Sequence, residues 1–225
     1  MPNRLLLSIA LTLCAHFSIA QTWRMGILAL NDGEHIIGEI KYDYEENNVQ
    51  IRYDDKTLAF SAYQFYTFRL VKNDMFPERN FYVLDYAESG SGRGTPHIFE
   101  GIHKGDISLL VRASTGTTHR KPDGRNGIDW VHPWFRWPEW QSSFPNQNRM
   151  EDIILYEQYI ARSDGRVIRL RGGKKERIKA FGAKKSKLTK YVKQHSLNLQ
   201  KWYDMAKLVK YYNDLLSLSS SSQSQ

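Results

Sequence analysis

Cysteine is nearly missing from this chain: Cys14 is the only one in 225 residues. A lone thiol has no partner within its own chain, which excludes a disulfide-stapled scaffold. Long apolar runs are equally scarce. Beyond residue 20, nothing approaches the run of about 20 apolar residues that a bilayer-spanning helix needs. The motifs of nucleotide chemistry are absent too. Ser89 to Gly94 (SGSGRG) carries glycines at alternate positions but lacks the G-x-G-x-x-G spacing, the following helix and the Lys-Ser/Thr of a phosphate loop. It reads as a hairpin tip. There is no Gly-x-Ser-x-Gly elbow, and His97 and His103 have no His-x-x-x-His or Glu-x-x-His companion on a helix. Neither a metal nor a cofactor is expected.

What is present is an ordinary globular composition, 41% hydrophobic, 13% aromatic and 25% charged, which excludes collagen-like, coiled-coil and wholly disordered chains. Residues 1–20 read as a secretory signal. Arg4 precedes an apolar run from Leu5 to Ala15, and small residues follow at Ser18 and Ala20, so cleavage is expected between Ala20 and Gln21. The product would be thiol-free and exported, periplasmic or associated with an outer membrane, or fully secreted.

From Thr22 to about Leu170 apolar residues alternate between short turn signals. Val49, Ile51 and Tyr53 against Gln50, Arg52 and Asp54 show the plainest period of two. Turns fall at Asn31-Asp32-Gly33, Asp54-Asp55-Lys56, His103 to Asp106 and Ser163-Asp164-Gly165. About nine strands without helical period between them predict an antiparallel sandwich or half-open barrel over 21–170. After Gly172-Gly173 the pattern turns helical. Lys174 to Phe181 and Lys184 to His195 suit short helices. Trp202, Met205, Ala206, Val209 and Tyr212 then place one apolar stripe on a longer helix, with Asn198 as its N-cap. The class is α+β: mainly β, packed by a C-terminal helical segment over 171–216. Residues 217–225, one Leu among Ser and Gln, are expected to form a loose tail.

Two segments stand out chemically. Within an irregular insertion over about 114–148, Trp130, Trp134, Trp137 and Trp140 fall in eleven positions, punctuated by Pro133 and Pro138. The prolines oppose a helix. In a polyproline II conformation Trp134, Trp137 and Trp140 would share one edge at intervals of about 9 Å, a row of flat rings suited to sugar faces or to a membrane boundary. Burial of the same rings in a satellite core is the competing expectation. Asp123, Asp129 and Glu139 nearby could serve a glycosidase if two carboxylates stood about 5–9.5 Å apart.

The second segment is basic. Without Arg4, 31 bases face 24 acids, a net charge of +7. Residues 171–193 hold ten Lys or Arg and one acid, Glu176, and so carry +9 by themselves. Candidate binding residues here are Lys174, Lys175, Arg177, Lys184, Lys185 and Lys187. Such a block attracts polyanions. For an exported protein, anionic lipid or an acidic envelope partner is expected ahead of nucleic acid.

Several patterns together resemble a loosely defined family of exported, β-rich proteins of unknown function from Gram-negative bacteria. They are the hairpin from Gly26-Ile27-Leu28 through Asn31-Asp32-Gly33 to Gly38-Glu39-Ile40, Phe99-Glu100-Gly101 with Ile107-Ser108-Leu109-Leu110, and the close Leu188 to Lys193 with Tyr211-Tyr212-Asn213. The resemblance implies a periplasmic or outer-membrane location and carries no catalytic residues. The expected function is a non-enzymatic binding or structural module of the cell envelope, with a glycan-directed hydrolase as the alternative.

Overall fold

The computed structural model describes residues 23–74, 76–87, 92–119 and 150–221. The proposed leader and the four clustered tryptophans lie outside these residues, as do Asp123, Asp129 and Glu139. The alternating segments fold as β1 (Arg24–Leu30), β2 (His35–Asp43), β3 (Asn48–Tyr53), β4 (Lys56–Ser61), β5 (Phe65–Leu70), β6 (Arg79–Tyr86), β7 (Thr95–His103), β8 (Ile107–His119), β9 (Met150–Arg162) and β10 (Val167–Arg169). Three helices follow: α1 (Lys174–Lys179), α2 (Lys185–Gln194) and α3 (Trp202–Ser221). The ten strands form one antiparallel sheet in the order β10-β9-β8-β7-β6-β5-β1-β2-β3-β4, so a mainly β body with a helical close is what the chain adopts.

Local chemistry sets the turns. Asp54 and Asp55 both take positive φ, 47° and 58°, and close a two-residue hairpin on the pair Tyr53–Lys56. Gly26 and Gly38 face each other across β1 and β2. A Cβ at Gly38 would stand 2.3 Å from the Arg52 carbonyl oxygen, so only glycine permits this close strand approach.

The sheet rolls in two directions. Strands β1 to β7 curl around one face, burying Leu28, Ile40, Ile51, Phe68, Phe81 and Ile98. Tyr42 on β2 meets Phe68 at 5.7 Å and Phe81 at 5.4 Å across the interior of that curl. Strands β6 to β10 curl the other way, around Tyr86, Phe99, Leu110 and Tyr159, and β10 returns to within 8 Å of β6. Neither curl closes into a barrel. The helices cover the remaining side of β8 to β10, where Ile107, Leu109 and Ile160 pack against Phe181, Leu188 and Leu208. Asn213 of α3 fastens them to the sheet. Its Oδ1 accepts from Ile107 N–H and its Nδ2 donates to Ile107 C=O, both at 2.9 Å.

Four expectations need correction. Lys56, read as the last residue of the Asp54-Asp55-Lys56 turn, instead opens a strand, Lys56–Ser61, paired with β3. The irregular insertion does not begin at 114: Ser114 to His119 pair with Met150 to Leu155, so β8 and β9 form a hairpin of 13 residue pairs. Asn198 does not cap α3. It caps the turn before it, accepting from Gln200 N–H, while Asp204 in the first helical turn accepts from Asn198 N–H at 3.0 Å. The helix itself runs on through Ser221, five residues into the stretch expected to be loose.

Candidate functional site: a lysine face beside a polar cleft

Positive-φ glycines bracket α1. Gly172, at φ 75°, turns the chain out of β10, and Gly182, at φ 76°, follows α1. Ile178, Phe181, Leu188 and Val192 point into the core, which forces the intervening residues outward. Lys174, Lys175 and Lys179 on α1, and Lys185, Lys187, Lys190 and Lys193 on α2, are exposed. Steps of three along α2 bring Lys187, Lys190 and Lys193 onto neighbouring turns. None of these seven lysines forms an ion pair with a described residue. On α3 the cations are instead neutralised locally, Lys207 by Asp204 at 2.9 Å and Lys210 by Asp214 at 3.1 Å. The first turn of α2 holds Lys185 and Lys187 and no acid, against the preference of a helix N-terminus for negative charge.

Three of the ten basic residues do not belong to this face, and one of them, Arg171, lines the cleft beside it. Lys184 sits in the left-handed region at φ 60° and donates its Nζ to the Leu215 carbonyl, tying α2 to the C-terminal half of α3. Arg177 turns inward. Its Nε donates to Gly172 C=O at 3.1 Å, and its Nη1 to Gln158 Oε1 at 2.9 Å and Leu199 C=O at 3.0 Å. Burial pulls the Arg177 guanidinium below its usual pKa, since no carboxylate stands against it.

Arg177 also lines a cleft of about 320 Å³ with Tyr156, Gln158, Arg169, Arg171 and Gln200. The cleft opens where β9 and β10 meet the helical cap. Glu157, also in its wall, is engaged by Arg169 and by the Tyr159 hydroxyl at 2.7 Å. Gln158 is 5% exposed and bridges the two sides, donating to Gln200 C=O and accepting from Arg177. The candidates chosen from sequence included Arg177 but not the residues around it. Gln158 did leave a trace, being a polar residue at the parity of Ile160, which is buried. Arg171 was legible only as part of the basic block, and Arg169 and Gln200 left no trace, because chain folding alone assembles them.

Compared with family models, curated proteins and solved structures, the chain matches none. No described helix is long and apolar enough to cross a membrane.

Proposed function

We infer that the protein is a non-enzymatic binding module of the cell envelope that docks by charge on an anionic lipid surface. The observation that carries this is the unpaired lysine face of α1 and α2, set against the locally paired cations of α3. Seven cations gathered around a single acid, Glu176, repel one another, and bringing an anionic surface to them relieves that repulsion. The exposed side chains between them on α2 are Ser186, Thr189 and Gln194, so docking is electrostatic and involves no apolar insertion at this face. Each basic side chain at an anionic bilayer contributes about 1 kcal/mol. The two-stranded β8–β9 arm leads to the Trp-rich stretch, which this reading uses as a second contact. Its leader would deliver the module outside the cytosol.

Co-sedimentation with vesicles tests the reading. Full-length protein should pellet with vesicles containing phosphatidylglycerol and stay in solution with pure phosphatidylcholine. Equal pelleting with both vesicle types would contradict it, and binding only to an acidic polysaccharide or protein would replace lipid as the partner.

A further inference from the structure

We propose that the cleft between β9, β10 and the helical cap is a binding site for a small organic carboxylate, separate from the lysine face. Its chemistry follows from the charges in its wall. Arg169 is matched by Glu157, whereas Arg171 and Arg177 have no carboxylate partner among the described residues. The lining therefore holds three guanidinium groups against one carboxylate. A half-buried cation facing only neutral carbonyls is costly, and an incoming anion supplies what is missing.

The donors that remain are specific. A guanidinium has five N–H groups. In Arg177, Nε and Nη1 are spent on Gly172, Gln158 and Leu199, which leaves the Nη2 hydrogens without an acceptor among the described residues. Three fixed bonds hold the group rigid, so its remaining donors are aimed before any ligand arrives. Arg171 is exposed on the adjoining wall and can swing its fork to the second oxygen. The one remaining nitrogen of Arg177 and the fork of Arg171 match the two oxygens of a carboxylate better than the three of a phosphate. Tyr156 and the Gln200 amide line the same space and suit a hydroxyl-bearing body. At about 320 Å³ the cleft lies at the small end of ligand sites, the scale of a single sugar acid.

Contrast within the molecule sharpens this. Arg79 is also half-buried, yet it faces Glu100 through two bonds of 2.7 Å. At Arg79 a carboxylate balances the cation, whereas Arg177 meets only neutral oxygens.

Titration of full-length protein with glucuronate, glucose and inorganic phosphate, followed by calorimetry and by amide NMR shifts, tests the site. Glucuronate should bind and shift Gln158, Leu170 to Gly172 and Gln200, while glucose should not bind. Arg171→Gln leaves the folding contacts intact and should weaken glucuronate at least fivefold. Arg177→Lys should weaken it further, with the melting temperature reporting whether the cap still folds. Lys187→Ser/Lys190→Ser/Lys193→Ser should leave glucuronate unchanged, which separates this site from the lysine face. Equal affinity for glucose, no change in Arg171→Gln, or loss in the lysine variant would each overturn the proposal. Tighter binding of phosphate than of glucuronate would overturn the carboxylate assignment.

Discussion

Asn47 and Ile98, 51 residues apart, are joined by a hydrogen bond in which Asn47 Oδ1 accepts from the Ile98 N–H at 3.0 Å. Asn47 Nδ2 in turn donates to Pro96 C=O at 3.0 Å. The pairing has a topological cause. Beyond Glu100↔Val111 no further pairing ties β8 to β7, so among the described residues no strand lies beside the edge of β7 carrying Pro96 C=O and Ile98 N–H. The β2–β3 turn rolls over and its asparagine takes that place. Asn47 thereby holds the first curl of the sheet shut.

Replacing Asn47 by Ala should cost about 1–3 kcal/mol, because Ile98 is fully buried and its N–H would lose its partner. Asn47 lies at φ 52°, so Ala adds backbone strain of about 1 kcal/mol that Gly avoids. Urea midpoints in the order wild type, Asn47→Gly, Asn47→Ala would bear this out. An Asn47→Gly midpoint equal to wild type would remove the latch.

Gly105→Ala should undock α3. A Cβ at Gly105 would lie 2.3 Å from Asn213 Nδ2, displacing the amide that grips Ile107. Hydrogen exchange is expected to accelerate across α3 and at Ile107, with β1 to β5 unaffected. Uniform acceleration across the sheet would show that cap and sheet unfold together.

How much of this could be read from the sequence varies with the signal available. The Asp54-Asp55 turn was legible because positive φ restricts which residues fit, and the α3 stripe was legible because Met205, Val209 and Tyr212 keep a strict helical interval. The outer β8 strand was not. Ser114-Thr115-Gly116-Thr117-Thr118 has β-branched residues but no apolar alternation, and it is strand only because β9 pairs with it. The lysine face was legible as charge, while the inward turn of Arg177 depended on acceptors at Gly172, Gln158 and Leu199 that are distant or featureless in sequence.

Stability should fall in alkali. Desolvation raises the pKa of Tyr42, and likewise of Tyr156 and Tyr44, so the folded chain keeps protons that the unfolded chain releases above about pH 10. The stabilisation is full below that pH and is lost as pH climbs from there toward the folded values. Each such proton contributes a slope of about 1.4 kcal/mol per pH unit. Tyr42→Phe should flatten the decline between pH 10 and 11 in urea titrations. An unchanged slope would show that Tyr42 ionises freely in the native protein.

The Arg79–Glu100 pair predicts an asymmetry. Glu100 is 6% exposed, so Glu100→Gln leaves the half-buried Arg79 guanidinium without its carboxylate and should cost about 3 kcal/mol. Arg79→Met/Glu100→Leu, which removes both charges, should cost far less. Equal costs from chemical denaturation would mean the pair contributes by packing alone.

The central claim is that the α1–α2 lysines bind an anionic surface, and the most direct test is the salt dependence of affinity for phosphatidylglycerol vesicles. Measured from 0.05 to 0.5 M NaCl, binding of the full chain should fall steeply as the screening length drops below about 10 Å. Lys185→Ser/Lys187→Ser/Lys190→Ser/Lys193→Ser should bind several hundred-fold more weakly at the lowest salt, at about 1 kcal/mol for each lysine removed, and show a shallow slope. The same affinity and slope in the quadruple variant would contradict the claim.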